Sequence, residues 1–269
     1  MITASLVLFH NKKSDIDRLM GAVKGSSIDY LFVIDNSSDD FFNYLQHDSI
    51  VNYRKNKNIG YGGSHNIAIR EAIAMKSDYH VVLNPDIYWD GDIMATLSDY
   101  MNQHQDVGQM MPKVFYPDGR LQYLCKMIPT PMDLIFKRFM PSSWMKNRLH
   151  KFSLQFTGYD KIMNVPYLSG CFMFFRTAAL KEVGLFDERF FMYPEDIDLT
   201  RRMHEKYKTI FYPYTSIVHA HGAASRTNKK MLFIHITNMI KYFNKWGWVF
   251  DSKRKKYNKI LLQELNYGD

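Results

Sequence analysis

Several apolar runs in this chain stop on side chains that can hold charge. VVLNPD (81–86) ends two valines and a leucine on Asn84-Pro85-Asp86. A carboxylate just past a buried strand can ligate a hard divalent cation such as Mg²⁺ or Mn²⁺. Pro85 restricts the backbone ahead of it, although Asn-Pro-Asp is also an ordinary turn. Asp35 follows FVI and precedes Asn36-Ser37-Ser38. There it could accept a hydrogen bond from a ribose hydroxyl or a base N–H, or cap a turn. VHAH (218–221) carries His219 and His221 two residues apart, on one face of an extended segment. Either could ligate a metal or contact a phosphate. Arg226 could meet a diphosphate or sit solvated on the surface.

Two further stretches precede helical patterns. PEDID (194–198) brings proline and acids to a helix start, which suits any helix amino end. It also suits a general base, with one carboxylate facing a cleft and taking a proton from an attacking hydroxyl. NIGYGGSHN (58–66) is glycine-rich but is neither a Walker A loop nor GxGxxG. Glycines before a helix let backbone N–H groups approach a phosphate or sugar, or form a plain turn.

Strands are expected at 4–9, at 30–40 running into a polar turn, at 49–56 and at 79–84, and helices at 14–24, after a glycine-bearing loop within 59–76, and at 92–104. The order predicts an open α/β sheet with parallel strands, whose ligands bind beyond the strands' carboxyl ends. His10-Asn11, Asp35-Asn36 and Asn84-Pro85-Asp86 then share one rim. Strands around a Pro-Asp-Gly turn are expected after residue 108, and residues 126–165 read as a partly mobile excursion. VPYLSGCFMFFRTAAL (165–180) reads as a strand into a helix, and 209–225 as a strand and its terminus. In 229–246, Leu232, Ile236, Met239, Ile240, Phe243 and Trp246 share one helical face.

The chain has 269 residues, 46% of them hydrophobic, enough for a substantial core. No apolar run is long enough for a membrane-spanning helix, and the start reads as a first strand rather than a signal peptide. Cys125 and Cys171 lack motif spacing, which fits a reducing cytoplasm. The net charge is +8, but residues 226–269 carry ten Lys or Arg against three Asp or Glu. A nearly neutral body with a basic tail argues against a nucleic-acid binder and for local contact with an anionic surface. Lys253-Arg254-Lys255-Lys256 could face anionic lipid while the 229–246 helix packs on the body.

The series FHN, VIDNSSDD, NIGYGGSHNIAI, VVLNPD, YLSGCFMFFR, GLFDERFFMYPEDIDLTRR and VHAHGAASR resembles the family 2 glycosyltransferases with a GT-A fold. The resemblance spans about residues 3–250 and is strongest to bacterial rhamnosyltransferases of O-antigen and cell-wall polysaccharide assembly. It implies a Rossmann-like, mostly parallel sheet flanked by helices over 1–225, with a C-terminal basic helical extension over 226–269. It implies that His10, Asn11 and Asp35 line the nucleotide site, and that Asn58, Gly60, Gly63 and Asn66 border nucleotide and donor sugar. Asp86 would hold Mg²⁺ or Mn²⁺ on the diphosphate, with His219, or alternatively His221, completing the metal site. Asp196 would be the base of an inverting single displacement, and Arg226 would assist the leaving diphosphate. Asn84 stands where the fullest metal motif has Asp, which removes one anionic ligand.

The expected partners are dTDP-L-rhamnose, or in the alternative a UDP-hexose or UDP-N-acetylhexosamine, and a lipid-linked saccharide acceptor. The expected location is the cytoplasm, peripheral on the inner face of the membrane. A non-catalytic, membrane-associated binding module of the same fold is the alternative from another class. Met127, Phe136, Phe139, Met140 and Trp144, among Lys137, Arg138 and Lys146, suit a lipid-linked acceptor.

Overall fold

The computed structural model describes residues 1–135, 142–220 and 229–267. The first half alternates as expected: β1 (Ile2–Leu8), α1 (Lys13–Lys24), β2 (Tyr30–Asp35), β3 (Val51–Lys55), α2 (Tyr61–Ala74), β4 (Tyr79–Leu83), β5 (Ile87–Tyr88) and α3 (Ile93–Gln103). The second half adds β6 (Val107–Phe115), β7 (Cys125–Lys126), α4 (Pro131–Leu134), α5 (Ser142–Phe152), β8 (Met163–Asn164), β9 (Tyr167–Leu168), β10 (Phe172–Arg176), α6 (Thr177–Val183), α7 (Glu195–His204), β11 (Lys208–His219), α8 (Lys229–Trp246) and α9 (Ser252–Glu264).

The main sheet runs β3-β2-β1-β4-β10-β6-β11-β5, with β8 beside β11. Strands β1 to β4 are parallel, as are β6 and β11, but β10 enters antiparallel between β4 and β6. The sheet is therefore mixed, and its parallel part is the half that alternation predicted. Helices cover both faces. Val81, Leu83, Phe172 and Phe174 pack with Ile16, Leu19, Leu97 and Met101 of α1 and α3. Their neighbours Val82, Met173 and Phe175 point the other way, onto Ile69, Leu180, Leu199 and Met203 of α2, α6 and α7. The two-residue period of a strand produces this split, and it explains why β4 is apolar throughout.

Two expectations change. The loosely held excursion over 126–165 does not describe its later part. Leu154, Tyr159, Met163 and Val165 are buried with Leu261 and Leu265 of the C-terminal segment. Short elements packed by distant partners leave no local period to read. Phe136, Lys137, Arg138, Phe139 and Met140 lie outside the described residues. The buried face of α8 keeps Met239 and Phe243 of the expected stripe but not Ile240. Met239, Tyr242 and Phe243 are buried, whereas Ile240 is exposed. Asn238 takes an inward position because its amide donates to the Met192 carbonyl at 2.8 Å.

The basic run is likewise divided. Lys253 pairs with Glu205 at 2.7 Å, and Arg254 is buried. Lys255 and Lys256 stay exposed. The C-terminal helices are fastened to α7 by a buried pair, in which the Arg201 guanidinium meets both Asp251 oxygens at 2.7 and 2.8 Å. It also lies 3.9 Å from the centre of the Trp246 ring.

Removing one partner of such a pair strands a charge in the interior, so Asp251→Ala should destabilise the fold by about 3–5 kcal/mol. Replacing both residues with apolar side chains should cost less. Urea unfolding of the single and double variants measures the difference, and equal costs would contradict the assigned role.

Candidate active site

The carboxyl ends of β1, β2 and β4 share one rim because register aligns them. Leu8 pairs with Asp35, and Leu6 with Leu83. Antiparallel β10 brings its amino end to the same place, with Phe172 opposite Leu83. The Asn84 N–H donates to the Cys171 carbonyl at 3.0 Å. Strand β5 then pairs with β11, setting His219 opposite Ile87, while the Ala220 N–H donates to the Asp86 carbonyl at 2.9 Å.

Asp86 and His219 consequently meet, with Nε2 of His219 3.4 Å from a carboxylate oxygen of Asp86. Gln122 orients the ring. Its amide nitrogen donates to the His219 carbonyl at 2.7 Å and to the Phe115 carbonyl at 3.3 Å. Its oxygen must then face His219 Nδ1, 3.0 Å away. An acceptor there requires the proton on Nδ1, so Nε2 is the nitrogen turned to Asp86. A carboxylate oxygen and an imidazole nitrogen suit Mn²⁺ or Mg²⁺ in part. Among the described residues no group of three His, Cys, Asp or Glu side chains gathers. His221 and Arg226 lie outside those residues.

The acids of PEDID are separated by burial. Asp198 is fully buried and engaged by Arg202, Lys245 and the Trp246 N–H. Glu195 is 5% exposed, and one of its oxygens has no hydrogen-bond partner among the described residues. Asp196 alone is partly open. Its oxygens accept the Gly170 N–H at 2.9 Å and the Ile197 N–H at 2.8 Å. Burial raises the Asp196 carboxyl above its ordinary range, while the positive charge of Lys126 and these N–H donors work against the rise. Burial, and then the charge of Asp196, push Glu195 much further up. Both carboxyls of the adjacent pair are thus held above their ordinary range, Glu195 by burial and its neighbour's charge and Asp196 by burial.

Tyr61 links the two sides. Its hydroxyl lies 3.0 Å from Asn84 Oδ1 and 2.8 Å from the Gly170 carbonyl. Burial raises its pKa, and the charges of Glu195, Asp196 and Asp86 raise it further. Both Asp86 and Asp196 are thus within electrostatic reach of one phenol. Together the rim offers an anion–imidazole pair and a partly open carboxylate, linked through Tyr61, Asn84 and Gly170.

Beyond β1 and β2, Asp35 is fully buried. It accepts from Tyr53 at 2.6 Å, Lys55 at 3.1 Å and the Ser37 N–H at 2.9 Å. Burial raises its pKa, but the bonds from Tyr53, Ser37 and Lys55 outweigh this and hold it below the usual range. His10 sits at a positive φ of 50°, 3.0 Å from Asp39. The Asn11 side chain accepts the Phe9 N–H, and Asn58 accepts the Gly60 N–H.

Gly60 has φ 89°, and a Cβ there would lie 2.2 Å from the Phe191 carbonyl oxygen. Only glycine allows that approach. Helix α2 starts at Tyr61, so Gly63 and Asn66 lie inside it. Asn66 is buried and spends its amide on Phe186 and Glu188, which ties α2 to the 186–188 turn rather than lining an open pocket. Tyr53, Lys55, Tyr61, Gln122 and Lys126 were not singled out from sequence. Each sits in an unremarkable pattern and becomes notable only through contacts with residues far along the chain.

The Glycosyltransferase like family 2 model matches residues 22–239. The chain is similar to the N-acetylglucosaminyl-diphospho-decaprenol L-rhamnosyltransferase of Mycobacterium tuberculosis, 27% identical over 171 residues, covering 60% of this chain and 56% of that protein. It is 24% identical to the rhamnosyltransferase WbbL of Escherichia coli over 206 residues, covering 74% of this chain and 75% of WbbL. The fold resembles the mannosyltransferase PcManGT from Pyrobaculum calidifontis, solved in complex with GDP-Man and Mn²⁺. That match has a TM-score of 0.57 at 13% identity and covers 100% of this chain and 75% of the other. The chain thus spans little more than half the length of the mycobacterial relative.

A carboxyl whose pKa rises on folding lowers stability as pH climbs from its unfolded value toward its folded one. Each unit of that rise is worth about 1.4 kcal/mol. Glu195→Gln mimics the protonated form and should remove the loss. The stability advantage of the variant over the wild type should grow between about pH 4.5 and pH 8. Unfolding midpoints across pH test this, and parallel profiles would show that Glu195 is not held protonated.

Proposed function

We propose, from the premise that this chain belongs to glycosyltransferase family 2, that it is an inverting transferase moving a sugar from a nucleotide donor to a lipid-linked saccharide. The donor we assign first is dTDP-L-rhamnose, because two of the similar proteins are named rhamnosyltransferases. The lipid-linked acceptor is suggested by the diphospho-decaprenol in one of those names. The observation that carries the catalytic reading is the pair of Asp196 on Gly170 and Asp86 beside His219, joined through Tyr61, Asn84 and the β10 entry.

The residues that would hold a divalent cation are Asp86 and His219. When bound, the ion would neutralise charge on the leaving diphosphate. Asn84 brings no negative charge, so donor oxygens would have to complete the set. Gln122 keeps the Nε2 lone pair directed at the site. Asp196 takes the proton of the acceptor hydroxyl, and that oxygen bonds to the anomeric carbon as the carbon–phosphate oxygen bond breaks on the opposite face. The product has inverted configuration without a covalent enzyme intermediate. Lys126 favours the ionised form that the base needs.

At the other end, Asp35 would act on the nucleotide through Tyr53 and Lys55, whose groups already occupy its oxygens. His10 and Asn11 would border the same pocket. Asn58, Gly60 and Gly63 would set its floor through backbone position, with Asn66 supporting them indirectly. His221 is proposed as the alternative to His219 at the metal, and Arg226 as a diphosphate contact.

Asp196→Asn should lower transfer by about 10²–10⁴-fold while leaving donor affinity unchanged. Unaltered turnover would remove Asp196 as base. Gln122→Leu should weaken Mn²⁺-dependent nucleotide binding by about 10–100-fold and leave metal-free binding alone. Titration calorimetry with and without Mn²⁺ separates the two. Thermal shifts with dTDP and UDP decide the donor: stabilisation by UDP alone would replace rhamnose with a UDP-sugar.

A further inference from the structure

The turn between α8 and α9 presents Trp248, Val249 and Phe250 with exposures of 37%, 68% and 90%. Three consecutive large apolar side chains pointing outward are unusual for a water-facing loop. The turn is built to hold them there. Gly247 takes φ 100°, where a Cβ would lie 2.5 Å from the Phe250 carbonyl oxygen. The Trp248 ring packs 5.2 Å from that of Phe243, and its N–H donates to Asn244 at 2.8 Å. Buried Arg254 donates to the carbonyls of Gly247, Trp248 and Val249 at 3.4, 3.2 and 3.2 Å. Those carbonyls are thereby satisfied from within. Backbone entering a low-dielectric layer must meet that condition, because water no longer supplies partners.

Beside the turn lies an open groove of about 820 Å³, whose apolar wall includes Met132, Trp248, Val249 and Leu262. Lys255 and Lys259 also line it. Lys255, Lys256 and Lys259 are exposed. Helix α9 carries a single carboxylate, Glu264, at its far end. Apolar tips set among lysines that have no ion pair among the described residues match the interface of an anionic bilayer, where aromatic rings sit at headgroup depth and each nearby lysine adds attraction.

We propose that the Trp248–Phe250 turn and the adjoining groove are the docking surface for a bilayer containing anionic phospholipid. The position is consistent with the site. Lys126, which acts on Asp196, is four residues from Thr130 in the groove wall, so their Cα atoms are at most about 14 Å apart. Ile128 between them is tied to α9 through two bonds with Asn258, of 2.8 and 2.9 Å. Docking would therefore bring the base near the membrane surface, where a lipid-linked acceptor resides. That consequence rests on the proposed function, whereas docking itself does not.

Flotation of the full chain with vesicles of phosphatidylcholine, alone or mixed with phosphatidylglycerol, tests the surface. The chain should float with the mixed vesicles, less so as salt is raised, and poorly with phosphatidylcholine alone. Val249→Ser with Phe250→Ser should reduce binding on the order of tenfold without changing the melting temperature. Lys255→Glu with Lys259→Glu should remove the preference for the anionic lipid. Asp196→Asn should float like the wild type, so failure of the catalytic reading leaves this result intact. A wild-type chain that does not float, or a serine variant that floats equally well, overturns the proposal. So does a dimer in light scattering that the serine variant abolishes, since the turn would then bind a second copy.

Discussion

The site depends on one junction, where β10 enters antiparallel beside β4 and the Cys171 carbonyl takes the Asn84 N–H. The parallel strands alone would collect polar tips on one side of a cleft. The reversed strand supplies the other side, because its amino end lies where its neighbours' carboxyl ends lie. Gly170, just before it, presents an N–H to Asp196 and a carbonyl to Tyr61. A Cβ at Gly170 would stand 3.0 Å from the Asp196 Cβ, so the smallest residue is what lets the carboxylate rest against this backbone. Tyr61 and Asp196, far apart in sequence, are thus both held against the backbone of Gly170.

Burial then differentiates the acids. A carboxylate out of water must find donors, accept a proton or reach solvent. Asp198 and Asp35 find cations and hydroxyls, which makes them fixtures of the fold. Glu195 finds too few, and burial pushes its carboxyl up to about 8. Asp196, one residue on, turns toward the opening and has two N–H donors and a nearby ammonium. The two neighbours differ in surroundings: Asp196 has N–H donors and a nearby ammonium that Glu195 lacks, and the charge of Asp196 adds to what raises Glu195.

The features legible in sequence were those written in local pattern. The apolar runs of β1, β2 and β4 and the spacing of Ile16, Leu19, Met20 and Val23 are short-range signals, and they placed Asp35 and Asp86 on one rim. The direction of β10 is not a local property. FMFFR reads the same in either sense, and only its partners decide. Gln122 follows an unremarkable turn and gains meaning from two carbonyls, one of them 97 residues away. On α8 the expected stripe keeps Met239 and Phe243 but loses Ile240 to the surface, while Asn238 turns inward to a specific acceptor, the Met192 carbonyl. Asn66 was assigned to the donor on motif grounds, yet its amide is consumed by a turn more than a hundred residues on.

Asp196 is also connected to the C-terminal segment through the helix that carries it. Helix α7 begins with the acid pair and, within two turns, offers Asp198 to Trp246 and Lys245 and Arg201 to Asp251. Ile197, next to Asp196, is buried with Tyr242 and Phe243 of α8. A ten-residue helix clamped at several successive positions moves as one body. The orientation of Asp196 therefore depends on how α8 and α9 pack. The same Asp251 that neutralises Arg201 also receives the Arg254 N–H, and Arg254 in turn closes the carbonyls of the exposed aromatic turn. A continuous set of buried ion pairs and hydrogen bonds joins the carboxylate at the rim to the surface of the C-terminal helices. The basic residues of that segment serve two different ends: those turned inward fix the helix under Asp196, and those turned outward leave their charge to the surroundings.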